Sequence, residues 1–195
     1  MVRPIALVLL ATCAAVAPSL GTTAGPPPRP AAQPSVEMSM LLEKTIFQVD
    51  VLTLDLWLGP DTARSLESWL PLTDNRAAAD SVAVIALHSR DAWATIEFQR
   101  NVGLDQFLDG IDENMRRARD AGHLTAEGYA VVATGLPRYF APLSERGIED
   151  RDRLFYRISG DTLRTVFQQH DGRVVIDQVD VGPERRLSLL GSFFV

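Results

Sequence analysis

In this chain of 195 residues, the side chain best suited to acid–base or ligand chemistry is an acidic residue within an apolar segment. Asp50 interrupts residues 45–58, which are otherwise almost wholly apolar. A carboxylate among apolar side chains must find hydrogen-bond donors, face water, or have its pKa raised, because burial penalises the charged form. Two interpretations stay open. Asp50 contacts a ligand or acts as a general base in a cleft, or it lies at an exposed strand edge.

A second candidate lies on a predicted helix. Phe107, Ile111 and Asn114 are separated by four and three residues, so they share one helical face. Asn114 therefore lies beside an apolar stripe, with two amide donors and one carbonyl acceptor. The pattern predicts either a polar contact inside a cavity or an amide that satisfies nearby backbone groups.

The sequence contains no motif for metal, nucleotide or nucleophile chemistry. His88, His123 and His170 are predicted at a strand end, a loop between helices and a hairpin turn, and no two of them have metal-ligand spacing. Gly-x-Ser-x-Gly, P-loop and dinucleotide-binding motifs are also absent from the sequence. We expect no cofactor and no metal ion.

Composition indicates one globular domain with an acidic surface. Hydrophobic residues make up 46% and charged residues 23% of the chain, and the net charge is -6. Such a surface repels phosphate backbones, so nucleic acid is not expected as a partner.

The N-terminus has the pattern of an export signal. Arg3 precedes the apolar residues 4–17, and small residues continue to Ala24. The apolar stretch is too short to span a bilayer of about 30 Å. We therefore predict a signal peptide at residues 1–24 and a bacterial protein that is exported, periplasmic or secreted. Cys13, the only cysteine, provides the alternative of a membrane-anchored lipoprotein with a lipid anchor at this residue.

The segment between the signal and the domain is rich in proline. Residues 25–35 contain five prolines and are predicted to form a flexible leader. The domain is expected at residues 36–195.

Within the domain, strands come first, then two helices, then strands again. Strands are predicted at residues 45–58, 81–88, 92–99, 153–158, 162–168 and 173–179, and the main helices at 104–122 and 125–147. Pro137 is expected to kink the second helix or to split it. Short helices are predicted after residue 60 and from Pro183. This order predicts an α+β fold with a mostly antiparallel sheet and helices on one face.

Three segments resemble the chalcone isomerase family and its exported bacterial relatives. They are residues 46–56, 106–114 and 186–191, and their order and spacing cover most of residues 36–195. The resemblance implies an open-faced β-sandwich, with helices layered on one face of a long sheet and a cleft between them. It also implies that Asp50, Leu52, Phe107, Ile111, Asn114 and Ser188 line that cleft.

The residues that carry the family's isomerase chemistry are only partly kept. Asn114 matches the family's substrate-contacting Asn, and Ser188 matches its late hydroxyl. Asp50 stands where the family has Thr, and Phe107 where it has Tyr. The family's Arg would fall near Met38, but residues 36–42 contain no basic side chain.

Without that Arg and Tyr, a phenolate and a polarised ketone lose their stabilising groups. The resemblance therefore implies non-catalytic binding of a small apolar ligand such as a fatty acid. The alternatives are an isomerase or intramolecular lyase with Asp50 as base, and an envelope structural or assembly protein with a filled cleft. Cavity volume discriminates between binding and a filled cleft.

Overall fold

The computed structural model describes residues 25–30, 36–43, 50–69 and 76–194 of the chain. Within these residues, six strands and five α-helices follow one another, joined late in the chain by a short 3-10 helix at Ala141–Leu143. Their bounds are β1 Val36–Glu43, β2 Asp50–Leu58, α1 Pro60–Leu66, α2 Arg76–Leu87, β3 Asp91–Phe98, α3 Leu104–Asp120, α4 Ala126–Tyr139, β4 Arg153–Ser159, β5 Thr162–Gln168, β6 Val174–Val181 and α5 Pro183–Phe193.

The six strands form one antiparallel sheet in chain order. Gly160 joins β4 to β5 with φ 63°, and Gly172 joins β5 to β6 with φ 90°. Glycine adopts this left-handed backbone without a steric penalty, which explains the two tight hairpins. In the described part of the chain β1 and β6 are the free edges, so the sheet is open. The α+β fold class predicted from the sequence is confirmed.

The two faces of the sheet differ because side chains alternate along each strand. On β2, Leu54, Leu56 and Leu58 are buried in the main core, whereas Asp55 is exposed. Ala94, Ile96 and Phe98 continue the buried face on β3. Helices α3, α4 and α5 pack on this face and supply Phe107, Leu136 and Leu190 to the same core.

The strand predicted at residues 81–88 is wrong, because this segment is the second half of helix α2. Three successive alanines, Ala77, Ala78 and Ala79, precede it, and alanine has the highest helix propensity. A short apolar run has no periodicity that separates a strand from a buried helix, so the preceding alanines decide its structure.

The interruption predicted at Pro137 is a split and not a kink. Helix α4 ends two residues later, at Tyr139, and the 3-10 helix Ala141–Leu143 follows in place of the helix predicted to continue to residue 147. The cap predicted at the other end is present. The hydroxyl of Thr125 accepts a hydrogen bond from the Gly128 backbone N–H at 3.0 Å.

Residues 25–30, predicted to belong to a flexible leader, contact the sheet. Pro27 is buried, and its carbonyl oxygen accepts a hydrogen bond from the Trp93 indole at 3.1 Å. These six residues therefore make contacts with the sheet, because it offers donors to a proline backbone that cannot pair with itself. The bounds of the leader, residues 25–35, stay a prediction. The predicted signal at residues 1–24, with Cys13, and residues 31–35 lie outside the described residues.

No helix in the described part of the chain combines the length and the hydropathy of a membrane span.

Candidate ligand-binding cavity

A cavity of about 440 Å³ lies between the sheet and helices α3, α4 and α5. Strands β2 to β5 form its floor through the inward side chains that also form the core, among them Leu54, Ile96 and Leu163. Its volume falls within the range of about 300–1,000 Å³ that small-molecule sites occupy. The space between sheet and helices is therefore not filled by the described side chains.

Three phenylalanines form one wall of the cavity. The rings of Phe98 and Phe107 meet edge to face with centroids 5.6 Å apart, and those of Phe107 and Phe140 do the same at 5.2 Å. Such aromatic pairs have a preferred geometry in addition to their burial. Phe107 is thus fixed between the sheet and α4, and the wall it forms is apolar.

The structure brings together five of the six side chains predicted from the sequence to share a cleft. The cavity is lined by Leu52, Phe107, Ile111, Asn114 and Ser188. Their use in ligand binding stays a prediction.

Asp50, the sixth, begins β2 opposite Glu43. The position of its side chain lies outside the described residues.

The two polar members of this set, Ser188 and Asn114, differ in how many hydrogen bonds they can still form with a ligand. Ser188 is buried, and its hydroxyl donates to the Glu184 carbonyl oxygen of its own helix at 2.7 Å. Its proton is thus used, although its oxygen can still accept. Asn114 is half-buried at the cavity wall, and its side-chain amide bonds to no other described residue. Asn114 therefore has both donors and its acceptor available to a ligand.

A polar end of the cavity was not predicted from the sequence. It is formed by Tyr139, Tyr156, Thr165, Asp180 and Arg185, all of which line the cavity. The Tyr139 hydroxyl is fully buried and makes no hydrogen bond to another described residue. Burial raises its pKa above the ordinary value, with Thr165 and Asp180 as polar neighbours. Tyr139 is thus a neutral donor that has Thr165 and Asp180 as polar neighbours but makes no well-formed hydrogen bond to a described residue.

Tyr156 extends this polar end onto the sheet. It pairs with Thr165 in the register of β4 and β5, and both residues are buried. Desolvation by burial raises the pKa of Tyr156, and Tyr139 adds to the effect. Both tyrosines remain protonated at neutral pH, so they can donate hydrogen bonds but cannot act as general bases.

Arg185 supplies positive charge at the same end. Its side chain is half-buried, and no described carboxylate lies within 4.0 Å of it as an ion-pair partner. Burial raises the pKa of Tyr139, and the positive charge of Arg185 opposes this effect. Arg117, the other arginine of the lining, pairs with Glu113 one turn away on α3. Arg185 is therefore the cation of the described lining that is left for a ligand.

Comparison with known proteins gives a structural likeness but no match by sequence. No family model matches the chain, and no curated protein matches it. Among solved structures, the chain is similar to the crystal structure of an Arabidopsis thaliana fatty-acid binding protein. The TM-score is 0.45 and the identity 12%, over 80% of this chain and 75% of that chain.

Several side-chain types that are common in active sites are absent from the described lining. It contains no histidine and no cysteine, and its tyrosines are held in the protonated form. Phe107 makes edge-to-face ring contacts with Phe98 and Phe140, and its equivalence to the family's Tyr stays a prediction. In the described residues, no group of three His, Cys, Asp or Glu side chains is arranged to hold a metal ion.

Proposed function

We propose that the protein binds a small elongated apolar molecule, such as a fatty acid, in the cavity between sheet and helices, and that it does not convert it. The observation that carries the proposal is the open cavity of about 440 Å³ with apolar walls and one polar end. An apolar chain would displace water from the walls, which stabilises the complex by about 25 cal/mol per Å² of apolar surface buried.

The polar end selects the head group of the ligand. A carboxylate accepts hydrogen bonds, and Tyr139 and Arg185 are both donors without a described acceptor. Asp180 faces the same region and repels an anion, so the carboxylate would lie on the Arg185 side of Tyr139. Hydrogen bonds that involve an ionised group stabilise a complex by about 1.5–3 kcal/mol each.

An isomerase or intramolecular lyase is the enzymatic alternative. It would need a cation beside a phenolate nucleophile and a hydroxyl to polarise the ketone. A donor of the second kind commonly lowers a barrier by about 2.7–4 kcal/mol, and Phe107 cannot supply it. An envelope structural or assembly protein with a filled cleft is the other alternative, and the open volume argues against it.

The same proposal includes export from the cytoplasm. Residues 1–24 are proposed as a signal peptide, which places the mature protein in the periplasm or medium, with a lipid anchor at Cys13 as the alternative. N-terminal sequencing of the exported protein distinguishes these. A start at Gly25 supports the signal peptide, a blocked and lipidated Cys13 supports the anchor, and an intact Met1 contradicts both.

Native mass spectrometry of the purified protein tests the binding proposal directly. We expect a co-purified mass in the range of a fatty acid, and a 1:1 complex when dodecanoate is added to stripped protein.

Leu136→Trp fills the cavity from α4, whereas Val131→Trp changes an exposed position of the same helix. We expect the first variant to lose binding and the second to keep it. Equal binding by both, at equal thermal stability, would refute the cavity as the binding site.

A further inference from the structure

The face of the sheet opposite the cavity carries a row of aromatic side chains. Trp57 on β2 and Trp93 on β3 are paired across the two strands. The centroid of the Phe155 ring on β4 lies 6.5 Å from that of Trp93, and the two ring planes are inclined at 54°. Helices α3, α4 and α5 do not cover this open face, yet Trp57 is 3% and Trp93 8% exposed. Another part of the chain must therefore shield these two rings from solvent.

Residues 25–30, the proline segment, lie across this face. The Trp93 indole N–H donates to the Pro27 carbonyl at 3.1 Å in a buried hydrogen bond. Arg164 donates to the Gly25 carbonyl at 3.0 Å, and Arg29 forms an ion pair with Glu37. The proline segment is thus held at three points along its length.

One of these points is itself oriented by the sheet. Two nitrogens of Arg164 each donate to a carboxylate oxygen of Asp177 at 2.8 Å. This paired geometry fixes the guanidinium plane on the open face and aims its remaining donor capacity at the Gly25 carbonyl. The Arg164–Asp177 pair is formed entirely by residues of the sheet, so it orients Arg164 independently of the proline segment.

The three anchors follow the order of the strands. Arg164 belongs to β5, Trp93 to β3 and Glu37 to β1. Four strand spacings of about 4.8 Å separate β5 from β1, a distance of about 19 Å. From Gly25 to Arg29 the backbone advances four residues, about 12 Å at about 3.1 Å each in the polyproline II conformation. The long side chains of Arg164 and Arg29 reach from the two ends of the segment toward their partners, so the segment and its anchors together can cross the sheet.

The covalent structure of the segment favours that conformation before it binds. Gly25, Pro26, Pro27 and Arg29 each precede a proline, which excludes the helical region of backbone space for them. Polyproline II has no internal hydrogen bonds, so its carbonyl groups are available to outside donors. Recognition by aromatic rings with a hydrogen bond to a proline carbonyl loses little conformational entropy, since the ligand is already extended.

From these contacts we infer that the open face is a binding site for a proline-rich, arginine-containing segment in the polyproline II conformation, and that residues 25–30 are its ligand within the same chain. Trp93 is the central anchor, Arg164 holds the N-terminal end and Glu37 the arginine. This site is separate from the cavity, because the two lie on opposite faces of the sheet.

Hydrogen exchange of the tryptophan indole N–H groups, in the full chain, tests this inference. Trp93 should exchange slowly, whereas Trp69, which is 37% exposed, should exchange fast and serves as the internal control. Replacing residues 25–30 by glycine and serine should accelerate exchange at Trp93 at least tenfold. The peptide Gly-Pro-Pro-Pro-Arg-Pro, added to that variant, should restore slow exchange with a saturable dependence on concentration.

Two controls make the result specific. A glycine-serine peptide of the same length should not restore protection, and Arg164→Met in the replaced chain should weaken peptide binding several-fold. Unchanged exchange at Trp93 after the replacement, or a folded variant that the proline peptide does not protect, would overturn the inference. If the replaced chain does not fold, Pro27→Gly takes its place. It keeps the carbonyl but frees the backbone, and unchanged exchange at Trp93 in this variant would be equally decisive against the site.

Discussion

Replacing Arg185 with leucine separates recognition of a carboxylate from recognition of an apolar chain. The side chain is half-buried, lines the cavity and has no carboxylate partner within the described residues. A hydrogen bond to a charged group contributes about 1.5–3 kcal/mol, and the partial exposure of Arg185 favours the lower half of this range. We therefore expect Arg185→Leu to weaken dodecanoate binding about 10- to 30-fold, since 1.4 kcal/mol corresponds to a factor of about ten.

The assay is titration calorimetry with two ligands that share one apolar chain, dodecanoate and dodecanol. Dodecanol lacks the charge, so its affinity should change less than about threefold in Arg185→Leu. Asp180→Asn should act in the opposite direction and strengthen dodecanoate binding, because it removes a negative charge from the same end of the cavity. Arg138→Leu, at an exposed position in the last turn of α4, is the matched control and should change neither affinity.

Equal weakening of both ligands would show that Arg185 acts through packing of α5, and the head-group assignment would be wrong. Unchanged affinity for both would place the carboxylate elsewhere in the cavity. Because Arg185 is partly exposed, the difference between the two ligands should also shrink at high salt.

Further predictions concern the scaffold and catalysis. Asp152→Ala should lower the free energy of unfolding by about 3 kcal/mol, measured by denaturant titration. The substitution removes the buried partner of Arg146 and the acceptor for the backbone N–H groups of Glu149 and His170. Burial alone would raise the pKa of Asp152, but Arg146 and these N–H groups lower it overall, so its stabilisation should persist above about pH 4 and be lost as pH falls through the lowered value. Phe107→Ala should cost about 3 kcal/mol by opening the aromatic wall, and a loss under 1 kcal/mol would contradict that packing. A hydroxychalcone should show no saturable cyclisation, and turnover that disappears in Asn114→Ala would restore the isomerase alternative.

The helix face of the cavity could be predicted from the sequence because helical spacing is a local property. Phe107, Ile111 and Asn114 follow from a period of 3.6 residues alone, and the structure places all three at one wall. Tyr139 could have been found in the same way. It is three residues after Leu136 and therefore lies on the same face of α4.

Other features could not be predicted because they depend on contacts between distant parts of the chain. Residues 25–30 have the composition of a free linker, and contacts with the sheet, among them those of Trp93 and Arg164 more than sixty residues away, join them to the domain. Composition predicts an extended conformation for that segment, since prolines favour it. It does not predict whether an extended segment meets a surface that can bind it.

Arg185 and Arg186 show the same limit at two adjacent positions. Successive residues of an α-helix point about 100° apart, so two neighbouring arginines face different surroundings. Arg185 lines the cavity, whereas Arg186 is 7% exposed and donates to the carbonyl oxygens of Leu87 and Ser89 at 3.4 and 3.3 Å.

The second arginine thereby holds α5 against the end of α2. Later in α5, Gly191 approaches α3 so closely that a Cβ atom there would lie 3.0 Å from that of Ala118. These contacts, made by the sides of α5 that face α2 and α3, hold in place the helix that carries Arg185. The Arg186 guanidinium thus fixes α5 on the side that faces α2, while Arg185, on a neighbouring side of the same helix, lines the cavity.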